Sequence, residues 1–305
     1  MAAGKLYIVA TPIGNLEDMT DRAKRILGET DIVAAEDTRI TQRLFSSFGI
    51  QNKMASNHRF NERRQSDFLI GQLEQGKNIA LVSDAGTPCI SDPGYMIVRD
   101  AVEKGIEVVG VCGPSAVVTA LSISGFNLDA FTFFGFFPRG GREIRERLRQ
   151  IKQSDIPVSV LFESPRRIKK TLLLISEDLP DAEICLCNDL TKLYEKVYRG
   201  SPHDVLREID GNPSAEKGEY TLVLRAGARG RSLSPERGES REAMIIDHLV
   251  QNGGSIKEAV KVLSEKYKGR IARNEFYAAS LNLKKLLPAS LPDDRDDESS
   301  GGAPC

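Results

Sequence analysis

In the first half of the chain, short continuous apolar runs alternate with stretches whose apolar positions recur every three or four residues. Residues 6–10 (LYIVA) form one such run, bounded by the turn residues Thr11-Pro12-Ile13-Gly14-Asn15, and predict a buried strand. Residues 20–27 follow with helical spacing and Thr20 in a capping position; 31–35 then read as a strand, and 38–48 as a helix closed by Gly49. The alternation continues with a strand at 79–83, a helix over 93–104 closed by Gly105, a strand at 108–111 and a helix near 115–124. Strand, loop and helix in repetition predict a doubly wound, mostly parallel sheet.

From about residue 139 the pattern changes. An arginine-rich helix leads to a strand at 158–162, after which Ser164-Pro165 predicts an N-cap and first-turn proline for a helix running to Ser176. Strand-like runs at 183–187, 194–199 and 220–224, with a short helix opened by Ser201-Pro202, have hairpin character and predict a mixed sheet. Residues 227–240, rich in Gly, Arg and Ser, read as a linker. Helical patterns at 241–250, 255–267 and 274–287 make an appendage in which Ser255-Ile256-Lys257-Glu258 fits a capping box. Three such helices are expected to bury little by themselves and to dock on something. The expected layout is an N-terminal α/β domain (1–138), a second α/β domain (139–226), the linker, the helical appendage (241–288) and a tail (289–305) whose composition predicts disorder.

Composition narrows the class. Hydrophobic residues make up 40% and charged residues 28%, ordinary for a soluble globular protein. No apolar run approaches the ~20 residues a bilayer span requires. No signal-peptide pattern precedes the turn at residues 11–15, so a cytoplasmic protein with no membrane contact is expected. The five cysteines lack framework spacing; Cys185 and Cys187 would share one face of a strand, but no second pair or histidine accompanies them, so core packing is expected and no metal. A net charge of −1 argues against a uniformly basic nucleic-acid binder. Basic residues nevertheless cluster at Arg59, Arg63 and Arg64, between Arg139 and Lys152, and at Arg166, Arg167, Lys169 and Lys170, offset by acids at Asp293, Asp294, Asp296, Asp297 and Glu298. Each cluster reads either as a solvated helix face or as a phosphate-binding patch.

Generic motifs are absent: there is no G-x-G-x-x-G after the first strand, no G-x-x-x-x-G-K-[ST], and no legible Ser/His/Asp arrangement. Three loops dense in turn residues instead follow strand ends: Thr11 to Asn15, Asp84-Ala85-Gly86-Thr87-Pro88, and Gly113-Pro114-Ser115-Ala116. In open α/β sheets ligands sit beyond the carboxyl ends of the strands, so these loops predict a ligand crevice. Small residues there let backbone approach a ligand, and Asp84 can accept from its amine or hydroxyl.

The same loops carry a resemblance. Residues 81–94 (LVSDAGTPCISDPG) closely resemble the hallmark of the ribosomal RNA small-subunit methyltransferase I family, the cytidine 2′-O-methyltransferases of the tetrapyrrole methylase superfamily. Further motifs match in order: YIVATPIGNLEDMT at 7–20, AEDTR at 35–39, FGFFP at 134–138, FESPRR at 162–167, DLTK at 189–192 and KGE at 217–219. Ser255, Lys257, Ala259, Arg273 and Tyr277 resemble the family's helical extension, so the resemblance spans about residues 4–285. Two segments depart from it. Cys112 stands where the family usually has proline, and residues 58–62 (HRFNE) are less rich in histidine, which touches a segment expected to face RNA and the role of His58.

The resemblance implies a two-domain tetrapyrrole methylase-like α/β fold with S-adenosylmethionine in the cleft between the domains. Its contacts would come from Pro12, Gly14, Asp84, Ala85, Gly86, Thr87, Pro88, Ser115, Ala116, Phe162, Glu163, Gly218 and Glu219. The implied reaction is 2′-O-methylation of a decoding-centre cytidine in 16S ribosomal RNA. The implied partners are small-subunit ribosomal RNA or the assembled subunit, and a second copy of the chain in a homodimer. A ribose hydroxyl needs a base, or a cation that stabilises the developing alkoxide. Asp37, Arg39, Glu62, Glu163, Lys192 and Glu195 are charged residues in or beside the matched motifs; each is a catalytic candidate or a structural ion pair, and the sequence does not choose among them. Arg59, Arg63, Arg139, Arg142, Arg145, Arg166 and Arg167 would hold phosphates, while Phe60 either stacks on a splayed base or packs in a core. Two other readings compete: C-methylation of a tetrapyrrole, and a non-catalytic RNA-binding assembly factor on the same fold. Ser83-Asp84-Ala85-Gly86-Thr87-Pro88 favours the RNA branch over the Gly-Asp-Pro version typical of tetrapyrrole enzymes.

Overall fold

The apolar runs of the first half become five short strands, β1 (Leu6–Val9), β2 (Ile32–Ala35), β3 (Met54–Ser56), β4 (Ile79–Val82) and β5 (Val108–Val111). They form an all-parallel sheet in the order β3-β2-β4-β1-β5. The computed structural model describes residues 2–227, 240–268 and 271–286. Both faces of this sheet are covered, which is why its strands are continuously apolar instead of alternating. Val9, Val33, Ala35, Ala80 and Val82 pack against α1 (Asp21–Glu29) and α2 (Thr38–Phe48). Leu6, Ala34, Ile79 and Leu81 pack against α3 (Glu62–Glu74) and α4 (Tyr95–Glu103). The predicted caps are present: the Thr20 hydroxyl accepts from the Ala23 N–H at 3.1 Å, and Gly49 closes α2 in the left-handed region at φ 67°. The pattern did not reveal β3 and α3. The first is three half-buried residues, and the second opens with a charged turn that no side chain caps.

The second sheet comprises β6 (Phe131–Phe136), β7 (Val158–Glu163), β8 (Glu183–Asn188), β9 (Lys196–Gly200) and β10 (Tyr220–Arg225), ordered β6-β7-β10-β8-β9. It is mixed: β6 runs parallel to β7 and the other pairs are antiparallel. The parallel pair needs a crossover, and α6 (Gly141–Gln153) supplies it. Strand β6 precedes the boundary expected at Pro138 but belongs to this sheet, so the second sheet starts at Phe131 and not at residue 139.

Side chains alternate cleanly here. Leu161, Ile184, Leu186, Leu222 and Leu224 face α6, α7 (Ile168–Asp178) and α8 (Pro202–Asp210). Val158, Val160, Cys185, Cys187 and Val223 face Val117, Ala120 and Leu121 of α5 (Ala116–Ser122). Both cysteines are fully buried in that layer, as core packing required. Helix α5 follows β5 of the first sheet yet packs on the second, which joins the two sheets into one compact unit.

Helix α7 starts later than Ser164-Pro165 suggested. Those two residues lie in a turn in which Arg167 N–H donates to the Ser164 carbonyl at 3.0 Å, and the helix begins at Ile168. The reason is a buried ion pair. Glu163, 2% exposed, accepts from Ser164 N–H at 2.7 Å, Arg167 Nε at 2.8 Å and Thr171 Oγ1 at 2.6 Å. Arg167 also donates to the carbonyls of Pro138 at 2.9 Å and Phe137 at 3.0 Å.

A second compact unit is described over residues 240–268 and 271–286. Its helices α9 (Arg241–Asn252), α10 (Ile256–Lys266) and α11 (Arg273–Leu286) enclose a core of their own around Ile245, Leu263, Tyr267, Phe276 and Leu283. The appendage therefore buries more by itself than its size suggested. The capping box holds, with Glu258 accepting from Ser255 N–H at 2.9 Å. Most of the expected linker and all of residues 289–305 lie outside the described residues. Among the described residues no helix is long and apolar enough to cross a membrane.

Removing Glu163 strands the Arg167 guanidinium and the Thr171 hydroxyl. Glu163→Ala is expected to destabilise the first unit by about 3–5 kcal/mol in urea unfolding, with Glu163→Gln intermediate. An unchanged midpoint would show that the pair does not hold this corner.

Candidate active site

Loops leaving the carboxyl ends of β1, β2, β4 and β5 meet the β7–α7 turn and the start of β10 around a cleft of ≈ 470 Å³, within the range of small-ligand sites. Ile13, Val117, Phe136 and Phe162 give it apolar wall, and backbone of the 84–87 loop, Ser115 and Ala116 gives it polar wall. Thr11 and Gly86 exchange two backbone hydrogen bonds of 2.9 Å, which lash the first loop to the second. Gly86 has φ 78°, and a Cβ there would come within 3.3 Å of Ile13 Cγ2. The chain then passes through two left-handed non-glycine residues, Cys89 at φ 70° and Ser91 at φ 69°, and brings Ile90, Ser91 and Asp92 to the cleft. Strain of this kind persists only where surrounding structure enforces it.

Five carboxylates line the cleft. Glu163 and Glu219 are paired with Arg167 and Lys192, whereas Glu36, Asp84 and Asp92 form no ion pair among the described residues. Burial pushes all three pKa values up, and like charge adds to it: Asp84 and Asp37 at Glu36, Asp37 at Asp84, and Glu36 and Asp84 at Asp92. Asp92 is pushed up to about 6, by burial first and then by Glu36 and Asp84, against a hydrogen bond from Ser83. Asp84 is oriented by the Asp37 N–H at 3.0 Å. Beside Glu36, Asn57 is buried with neither amide atom partnered, and His58 Nδ1 is also buried without a partner.

Of the expected ligand residues, Asp84, Ala85, Gly86, Thr87, Ser115, Ala116, Phe162, Glu163 and Glu219 line the cleft; Pro12, Gly14, Pro88 and Gly218 do not. Gly14 and Gly218 are small for another reason. A Cβ on Gly14 would lie 2.4 Å from Lys192 Cγ, and one on Gly218 would lie 2.1 Å from Asp189 Oδ2, so both make room for the 189–192 turn.

The six catalytic candidates prove to be engaged in structure. Asp37 caps α2 and grips Arg39 at 2.6 Å, which holds its carboxyl down at about 2. Glu62 caps α4, accepting from Gly94 and Met96 N–H at 2.9 and 3.0 Å. Lys192 bridges Asp189 and Glu219, Glu195 accepts from Thr191 N–H at 2.6 Å, and Glu163 holds Arg167. Among the arginines, Arg167 is held inside by that pair, Arg145 by Glu177 and Asp178, and Arg63 lies 3.7 Å from Asp67 and from Asp100. Arg59, Arg139, Arg142 and Arg166 are exposed and have no acid partner among the described residues. Phe60 is 96% exposed, which rules out its core reading.

The profile of the family described as Tetrapyrrole (Corrin/Porphyrin) Methylases matches residues 5–205. A "Ribosomal RNA small subunit methyltransferase I" of Halalkalibacterium halodurans is 41% identical over 261 residues, 85% of this chain and 89% of that protein. The chain belongs to this family. The protein of the same name in Thermotoga maritima is 42% identical over 221 residues, 72% of this chain but 98% of its own length. A solved diphthine synthase shares the fold, with a TM-score of 0.56 at 15% identity, over 73% of this chain and 90% of that one.

Within this methyltransferase I family member, Glu36 and Asp92 are the cleft carboxylates that the sequence did not single out. Both stood inside matched motifs. Glu36 had a signal of its own, since it directly follows a predicted strand end; only the fold shows that Asp92, eight residues beyond Asp84, returns to the same cleft.

An upward shift means that the folded state holds the Asp92 proton more tightly than the unfolded chain does. Stability is therefore lost as pH rises from about 4, the ordinary carboxylate value, through about 6. Asp92→Asn escapes that loss. It is expected to melt above the parent at pH 8 and to lose its advantage below pH 4; equal melting temperatures at both pH values would contradict the assignment.

Proposed function

We propose that the chain transfers a methyl group from S-adenosylmethionine to the ribose 2′-hydroxyl of a cytidine in small-subunit ribosomal RNA, with Asp92 as the base. The observation that carries this reading is the cleft between the sheets, where Glu36, Asp84 and Asp92 have no cation partner among the described residues, together with surface arginines that have no acid partner among them. S-adenosylmethionine brings a sulfonium, an ammonium and an electrophilic methyl group. Glu36, Asp84 and Asp92 supply the negative field such a cation complements, and Ile13, Val117 and Phe162 the apolar wall an adenine ring requires. The names of the relatives supply small-subunit ribosomal RNA as the acceptor.

Asp92 is suited to the proton because it is ionised at neutral pH yet more basic than an ordinary carboxylate. As the hydroxyl oxygen forms its bond to the methyl carbon, the carbon–sulfur bond breaks, its electron pair stays on sulfur, and the hydroxyl proton passes to the Asp92 carboxylate. Asp84, held by Asp37 N–H, positions the cation. Arg59, Arg139, Arg142 and Arg166 bind backbone phosphates, and Phe60 offers a face to an unstacked base. With the family resemblance come a homodimer and a cytoplasmic location.

Radiolabelled S-adenosylmethionine incubated with small subunits, naked ribosomal RNA or a tetrapyrrole should place label in 2′-O-methylcytidine after nuclease digestion; label only in the tetrapyrrole would overturn the reading. Asp92→Asn is expected to lower kcat by about 10²–10⁴ while S-adenosylmethionine still binds, and the acidic limb of the parent's rate profile near pH 6 should vanish. Retained kcat would move the base elsewhere.

A further inference from the structure

Helices α10 and α11 of the second unit leave a groove of ≈ 670 Å³ between them. Ile256, Val260 and Leu281 form its floor, and Lys257, Lys261 and Lys284 stand around it with Tyr277. Lys257 and Lys261 are one turn apart on α10, and Tyr277 and Lys284 two turns apart on α11, so helical geometry aligns all four with the groove.

No carboxylate lines the groove, and none of the three ammonium groups forms an ion pair among the described residues. The nearby acids are occupied: Glu258 caps α10, Glu265 pairs with Lys268 and Glu275 pairs with Arg241. The Tyr277 ring is 62% exposed, although the core of the unit closes around Phe276 without it. Three clustered cations over an apolar floor with a free aromatic face do not suit an apolar peptide, which would leave the ammonium groups unanswered. They suit a strand that alternates phosphates with flat bases.

The unit is also separable from the chemistry. The Thermotoga maritima relative is accounted for over 98% of its length by 221 residues of this chain, fewer than the first unit alone contains. A family member of that length has no room for three further helices.

We propose that this groove grips a single-stranded or looped segment of the RNA substrate, with phosphates on Lys257, Lys261 and Lys284 and a base on Tyr277. It rests on the ribosomal RNA reading above, and it assigns the helical unit to holding the substrate and not to methyl transfer.

The test compares full-length protein with the Lys257→Ala/Lys261→Ala/Lys284→Ala variant in binding a small-subunit RNA fragment across a salt series. Affinity should fall at least about tenfold, and the slope of log K against log salt should become shallower by about 2, since each lost phosphate contact on a single strand removes about 0.7. KM for RNA should rise while kcat and S-adenosylmethionine binding stay unchanged. The triple lysine-to-arginine variant should keep affinity, as should Tyr277→Phe but not Tyr277→Ala. A triple alanine variant that folds by circular dichroism and keeps both affinity and slope overturns the groove alone, provided the parent still methylates RNA. A parent that neither binds nor methylates RNA overturns both readings.

Discussion

The cleft depends on one buried ion pair. Glu163 sits at the end of β7 and accepts on both carboxylate oxygens, and the Arg167 fork reaches the carbonyls that carry the chain out of β6. The pair therefore fixes three things at once: where β6 ends, where β7 turns, and where α7 begins. Phe162, Ser164 and Pro165, one wall of the cleft, have no freedom left once those are set. Phe133 and Phe136 then meet Phe162 edge-on, with ring centroids 5.1 and 5.4 Å away, so Phe162 is braced by two rings of β6. Desolvating a carboxylate and a guanidinium is costly, and burial of such a pair is a poor source of net stability. What it provides here is position.

The opposite wall stores two kinds of cost. Cys89 and Ser91 hold left-handed backbone that side chains disfavour, and Glu36, Asp84 and Asp92 share one cleft with no ion-pair partner among the described residues. Neither feature helps the fold. The carboxylates lie in the crevice, where a cationic ligand would relieve their repulsion, whereas left-handed non-glycine backbone recurs at Asp189 and Thr191. Charge elsewhere in the first unit is handled differently: Asp37, Glu62, Lys192 and Glu195 are each matched to a helix end, a turn or a partner.

This contrast also explains what could be read from the chain. The parallel sheet was legible because strands buried on two faces must be continuously apolar, and the caps at Thr20, Gly49 and Ser255 follow from local backbone chemistry. The mixed sheet was legible from hairpin spacing. Strand β6 was assigned to the wrong side of a boundary because its partner lies across a helix, and parallel pairing leaves no local mark. Ser164-Pro165 looked like a helix start because the sequence does not show that an arginine three residues on would turn inward. Charged residues in conspicuous loops were natural catalytic candidates, yet such loops are also where helix ends need acceptors. Only the fold separates an acid that caps a helix from one that faces an open cleft. Gly14 and Gly218 show the same ambiguity, being small to admit a neighbouring turn and not a ligand.

Helix α5 belongs to the first sheet by sequence and to the second by packing, with Val117, Ala120 and Leu121 against Val160, Cys185 and Val223. The chain crosses from one sheet to the other between β5 and α5, so a change of angle between the sheets would have to be taken up in the turn from Cys112 to Ser115. Ser115 and Ala116 line the crevice, so the connection that governs how the two sheets sit is also part of the wall that meets the ligand.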